Sequence, residues 1–201
     1  MAEVLLIGSG NRGKAAELAG LLEGLPWEVR CLADYDPVPP LVENGLTFEQ
    51  NAVKKAVYFS EAFGVACLGD DSGLVVDAIG GAPGIYSARY AGPEADDKAN
   101  NAKLLAALEG VAEAERTARF VCYAAFVRPG EPPHVENAVA EGRIGFKPRG
   151  AGGFGYDPLF IPEGYTRTFG EMEAAEKKRI SHRGLALQKM RSYLERLAVR
   201  E

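Results

Sequence analysis

The chain has 201 residues, 47% of them hydrophobic and 25% charged, with a formal net charge of -5; this is enough for one enzyme-sized core and too acidic for the electrostatic footprint duplex nucleic acid demands. Its three cysteines, Cys31, Cys67 and Cys122, are odd in number and set among apolar residues, so neither a disulfide framework nor a zinc site is expected, and a reducing, cytoplasmic setting fits. The apolar start up to Ile7 is far shorter than the roughly 20 residues of a membrane helix and has no signal-peptide pattern, so neither a membrane nor a nucleic-acid partner is expected.

Along the chain, Val4-Leu5-Leu6-Ile7 reads as a buried strand, and Gly8 to Lys14 feeds a helix whose apolar positions are Ala15, Leu18, Leu21 and Leu22. Residues 34–47, with Pro37, Pro39, Pro40, Asn44 and Gly45, break regular structure. A second helix follows with Phe48, Ala52, Ala56, Phe59, Ser60 and Phe63 on one face, and Asn51, Lys54 and Lys55 largely off it. Val65 to Leu68 and Leu74 to Val76 are strand-like segments around Gly69-Asp70-Asp71-Ser72-Gly73, which reads as a tight turn presenting its carboxylates. A glycine-rich loop at 80–84 precedes a helix outlined by Ala99, Ala102, Leu105 and Ala106, closing near Gly110. Residues 119–127 and 135–144 are extended, Arg149 to Pro158 is a loop of glycines and aromatics, and a last helix starts near His182 with Ala186, Met190, Tyr193 and Leu197 inward. Helices interleaved with strands, then a long hairpin, predict an α/β protein with a mixed sheet, and no boundary divides residues 1–201 into separate domains.

Three clusters carry chemistry. Ser9-Gly10-Asn11-Arg12-Gly13-Lys14 is neither a P-loop nor a dinucleotide fingerprint, yet it brings small residues and a cation to a helix N-terminus, which suits a phosphate as well as it suits an ordinary cap. Asp70 and Asp71, with Glu43 and Glu49 upstream, offer the hard oxygen ligands that Mg²⁺ takes, and Lys14 or Lys54 could offset their charge. Lys177, His182 and Arg183 gather cations and an imidazole near a helix start, while Phe154 and Tyr156 could stack on a purine and Asp157 accept from a base N–H.

Six ordered blocks, 9–14, 45–52, 70–74, 80–90, 152–158 and 181–184, resemble the inosine/xanthosine triphosphate pyrophosphatase family over nearly the whole chain. The resemblance implies hydrolysis of non-standard purine triphosphates (ITP, dITP and XTP) to the monophosphate and pyrophosphate, with Mg²⁺, in a homodimer. It also implies an elongated α/β fold of two lobes around a long mixed sheet, with the nucleotide in a cleft between lobes. Position by position, it implies that Ser9, Gly10, Asn11, Arg12, Gly13 and Lys14 hold phosphates, that Asp71 binds metal and accepts the proton, and that Ser72 contacts substrate. Glu43 would be the second metal ligand, with Asp70 and Lys54 assisting. Phe154, Gly155, Tyr156, Asp157, Lys177, His182 and Arg183 would form the nucleoside pocket. A nucleotide-binding module without catalysis and a pyrophosphatase for modified pyrimidines are the rival expectations.

Overall fold

The computed structural model describes residues 2–94 and 96–200, the side chain of Arg200 excepted. In chain order the regular elements are β1 (Glu3–Ile7), α1 (Arg12–Leu21), β2 (Trp27–Cys31), α2 (Phe48–Phe63), β3 (Ala66–Val76), α3 (Asp97–Ala107), β4 (Thr117–Val127), β5 (His134–Ile144), β6 (Phe160–Pro162), α4 (Ala174–Ile180) and α5 (His182–Arg200). The strands form one six-stranded sheet in the order β2-β1-β3-β4-β5-β6. It is mixed: β1 runs parallel to β2 and to β3, and β5 runs antiparallel to β6.

The chain divides into two compact units. The first comprises Met1–Asp71, Tyr123–Asn137 and Ala186–Glu201, and the second Ser72–Cys122 and Ala138–Leu185. The cuts fall inside β3, β4 and β5 and near the start of α5, where no proline- or glycine-rich linker is needed. For that reason composition alone carried no trace of them.

In the first unit Leu5, Ile7, Leu18, Trp27, Leu68, Phe126, Leu187 and Met190 share one core. The alternation of β2, with Trp27 and Cys31 buried and Glu28 and Arg30 outside, is that of a half-buried strand. Sequence reading passed over this strand. Helix α2 starts at Thr47, whose side chain accepts from the Gln50 amide, and ends at Gly64 in the left-handed conformation, a capping pair that fixes its length.

In the second unit Leu74, Val76, Leu104, Phe120, Ile144, Tyr156, Phe160 and Phe169 form the core. Buried Arg116 donates to the carbonyls of Leu108, Ile144 and Gly145, tying the end of α3 to the end of β5. Helix α4 buries no residue. Among the described residues no helix is long and apolar enough to cross a membrane.

Candidate active site

Residues 69–73 are not a turn. Strand β3 runs unbroken through Gly69-Asp70-Asp71-Ser72-Gly73, and Asp70 is only 6% exposed. A buried carboxylate in a strand must be neutralised, and Lys14 does so, with Nζ 3.0 and 3.3 Å from the two Asp70 oxygens. Gly69 makes room for this arrangement. A Cβ there would stand 2.6 Å from the Ala52 carbonyl oxygen and 2.7 Å from the Ala56 nitrogen, so β3 and α2 meet backbone to backbone just before the acids.

Helix α2 supplies two further partners. Lys55 Nζ donates to the Asp70 carbonyl at 3.0 Å and lies 3.1 Å from Glu43 Oε1, with its side chain largely shielded from water. Asn51, 2% exposed, donates through Nδ2 to Asp71 Oδ2 at 3.1 Å and accepts from the Gly45 amide at 2.8 Å. Both residues were expected off the packed face. They lie instead against β3, where their polar ends meet the acids. Lys54, the expected partner of the acids, donates to the Val42 carbonyl and to Asn44 Oδ1 and has no ion pair with Asp70 or Asp71 among the described residues. Lys55, not Lys54, is the lysine of α2 that lies against Asp70 and Glu43; positions three and four after Asn51 are equally good neighbours on a helix.

The loop at 9–14 is closed on itself. Asn11 Oδ1 caps α1 by accepting from the Gly13 and Lys14 amides at 2.8 and 3.2 Å, Ser9 Oγ accepts from the Asn11 amide at 3.2 Å, and Gly10 is open on the side where a Cβ would stand. Arg12 points to Asp34, 2.8 Å away in an exposed pair. Lys14 is therefore the residue of this loop that reaches the acids.

In the second unit a cavity of about 150 Å³ is lined by Ser72, Gly73, Ser87, Phe120, Phe154, Gly155, Tyr156, Asp157, Lys177 and His182, among others. That volume admits a flat ring. His182 stacks on Phe120, with centroids 4.6 Å apart and planes 8° from parallel. Exposed Phe154 has Lys177 Nζ 4.8 Å from its ring centroid. Asp157, 2% exposed, is ion-paired with Lys177 and accepts from the Phe154 amide at 2.8 Å. Burial pushes its carboxyl above the usual range, and the Lys177 charge only partly offsets this. The Tyr156 hydroxyl donates to the Ser87 carbonyl at 2.8 Å, and burial raises its pKa. Seven predicted residues thus converge: Ser72, Phe154, Gly155, Tyr156, Asp157, Lys177 and His182. Arg183, half-buried beside His182 in α5, is not among the lining residues.

Sequence reading missed Asn51, Lys55 and Ser87. A polar residue directly before or inside a run of buried alanines, as at Asn51-Ala52 and Lys55-Ala56, was the available signal for the first two.

An α/β fold that sets a lysine-neutralised carboxylate and a second, amide-bound one side by side on one strand, and a ring-sized pocket with a buried carboxylate and a stacked imidazole on the residues that follow, has the features of the nucleotide-hydrolase class. The chain belongs to the Ham1 family, whose model matches residues 5–193. It is 52% identical over 184 residues, 92% of this chain and 78% of the relative, to the dITP/XTP pyrophosphatase of Syntrophobacter fumaroxidans. It is 46% identical, over 98% of each chain, to that of Desulforamulus reducens. Among solved structures, a HAM1 protein from Coxiella burnetii aligns with TM-score 0.91 at 38% identity, covering 96% of this chain and 99% of that one.

Proposed function

We propose that the protein hydrolyses the non-standard purine triphosphates dITP, ITP and XTP to the monophosphate and pyrophosphate, and that the whole chain acts as one catalytic unit, as a homodimer in the cytoplasm. The observation that carries the reading is the group Lys14, Asp70, Lys55 and Glu43, in which every carboxylate faces a lysine. Cations held beside acids are what a site needs if it must bind a polyanion and still manage a proton.

The donor set fits Mg²⁺. Among the described residues no three His, Cys, Asp or Glu side chains converge as a metal-holding group, but Mg²⁺ keeps several waters and takes one or two carboxylates. Asp71 and Glu43 would hold it, and when bound it would neutralise phosphate charge and activate water. Lys14 and Lys55 bind the triphosphate and balance the negative charge that grows on departing pyrophosphate. Ser9 to Gly13 line the phosphate end, where the Asn11 cap gives up its amides to phosphate oxygen. Asp71, held by the Asn51 amide, takes the proton of the attacking water, with Asp70 fixed by Lys14 as its electrostatic neighbour.

The base enters the ring-sized cavity of the second unit, between Phe154 and the Phe120-His182 stack. Lys177 and His182 donate to oxygen on the base, Asp157 accepts from base N–H, and Arg183 supports the pocket from α5. Adenine carries an amino group where hypoxanthine and xanthine carry oxygen, so it sets donor against donor and leaves buried groups unpaired. Incubation with ITP, XTP, GTP and ATP plus Mg²⁺, scoring monophosphate and pyrophosphate, tests the reading. Preferred turnover of ITP and XTP is expected, and equal turnover of ATP would overturn it.

A further inference from the structure

In the loop that carries Phe154 and Asp157, residues 151–154 are exposed while Tyr156 and Asp157 are buried. Gly153 and Gly155 have φ of +75° and +60°, conformations that suit glycine and leave the backbone easily moved. On one side of the loop lies a cavity of about 430 Å³, bordered by Leu105 and Ala102 of α3. A segment with open space beside it gains little from van der Waals contact.

The Asp157–Lys177 ion pair and the Tyr156 hydroxyl hold one end of the loop, and a pair of hydrogen-bonding side chains one turn apart on α3 holds Gly155. The Gly155 amide donates to Asp97 Oδ2 at 2.6 Å. Asn101 Nδ2 donates to the Gly155 carbonyl at 2.8 Å and to the Asp97 carbonyl at 2.7 Å. Both polar groups of one glycine are thereby fixed to a helix. Asn101 is buried and Asp97 exposed, so the two bonds are made in different surroundings.

We propose that Asp97 and Asn101 are positioning residues for base selection: by clamping Gly155 they hold Phe154 and Asp157 in the one arrangement that tells a 6-oxopurine from adenine. The proposal rests on the pyrophosphatase reading above. Without the clamp the glycines let the loop drift towards the neighbouring cavity, and the geometry that penalises adenine is lost before the capacity to hydrolyse is.

The test compares wild type with D97A, D97N and N101D by steady-state kinetics on ITP and ATP and by hydrogen–deuterium exchange over residues 150–160. For D97A and N101D, KM for ITP should rise about tenfold, with kcat within about twofold and the ITP-over-ATP preference narrowed about tenfold, the loss of one ordinary hydrogen bond. Exchange over the loop should accelerate in both. D97N keeps an acceptor for the Gly155 amide and should stay within about threefold of wild type. Unchanged loop exchange in D97A, or equal losses on ITP and ATP, would overturn the proposal, as would D97N behaving like D97A. Asp97 is exposed, so D97A decides the matter even if N101D does not fold. A wild-type protein without ITP preference overturns the functional reading instead, and loop exchange then judges the clamp alone.

Discussion

Lys14 Nζ sits 3.0 Å from Asp70 Oδ2, joining a residue of the first helix to a buried acid 56 positions later. Removing only the lysine takes the paired cation away from a buried carboxylate. K14M should lose activity and about 1–3 kcal/mol of stability, the order of the cost of losing a partner of a buried charged group. K14M/D70N should recover most of the stability and none of the turnover. Urea denaturation alongside pyrophosphate release checks both halves.

Asp71 differs from Asp70 in its partner, a neutral Asn51 amide 3.1 Å away. D71N keeps the size and an acceptor for that amide but cannot take a proton. Turnover should fall about 10²–10⁴-fold while binding of ITP changes little. Single-turnover kinetics with calorimetric binding separates the two, and near-normal turnover would remove Asp71 from the role of base.

The neighbours Lys54 and Lys55 should behave quite differently. K55A deletes a cation lying against Glu43 and the Asp70 carbonyl, and kcat should drop about 10²–10³-fold, as for loss of a preorganised electrostatic donor. K54A cuts bonds to Val42 and Asn44 in the preceding loop and should alter KM more than kcat. Parallel kinetics on the two variants decides which lysine acts on substrate.

Asp157 supplies a pH test. Its carboxyl titrates above the ordinary 3.8 because burial disfavours the charged form. The folded state therefore holds this proton to higher pH than the unfolded state does, and the Asp157 contribution to stability falls as pH rises from 3.8 through the raised value. D157N should flatten that part of the profile, measured by chemical denaturation from about pH 4 to 7. A profile as steep as wild type would assign the slope to other groups.

Much of the fold was legible because burial writes a period into the sequence. The strand at 119–127 and the final helix from His182 fall within one or two residues of where β4 and α5 lie. The acid pair was legible as a cluster of carboxylates but not as part of a strand. Two charges inside an apolar run look like a break until Lys14, far away in sequence, neutralises one of them. Lys55 was hidden by the ambiguity of helical spacing after Asn51. Asp97 and Asn101 were illegible for another reason: they act on the backbone of Gly155, and a side chain that grips backbone leaves no matching residue to find.

The hydrogen-sized gap at Gly69 has a practical corollary. Its imaginary Cβ meets helix backbone at 2.6 and 2.7 Å, and backbone cannot step aside as a flexible side chain can. G69A would alter no charge, donor or acceptor, yet it would wedge α2 away from β3 at the residue beside the acids. A lone methyl group would then act as an inhibitor built into the chain, silencing the enzyme by spacing alone.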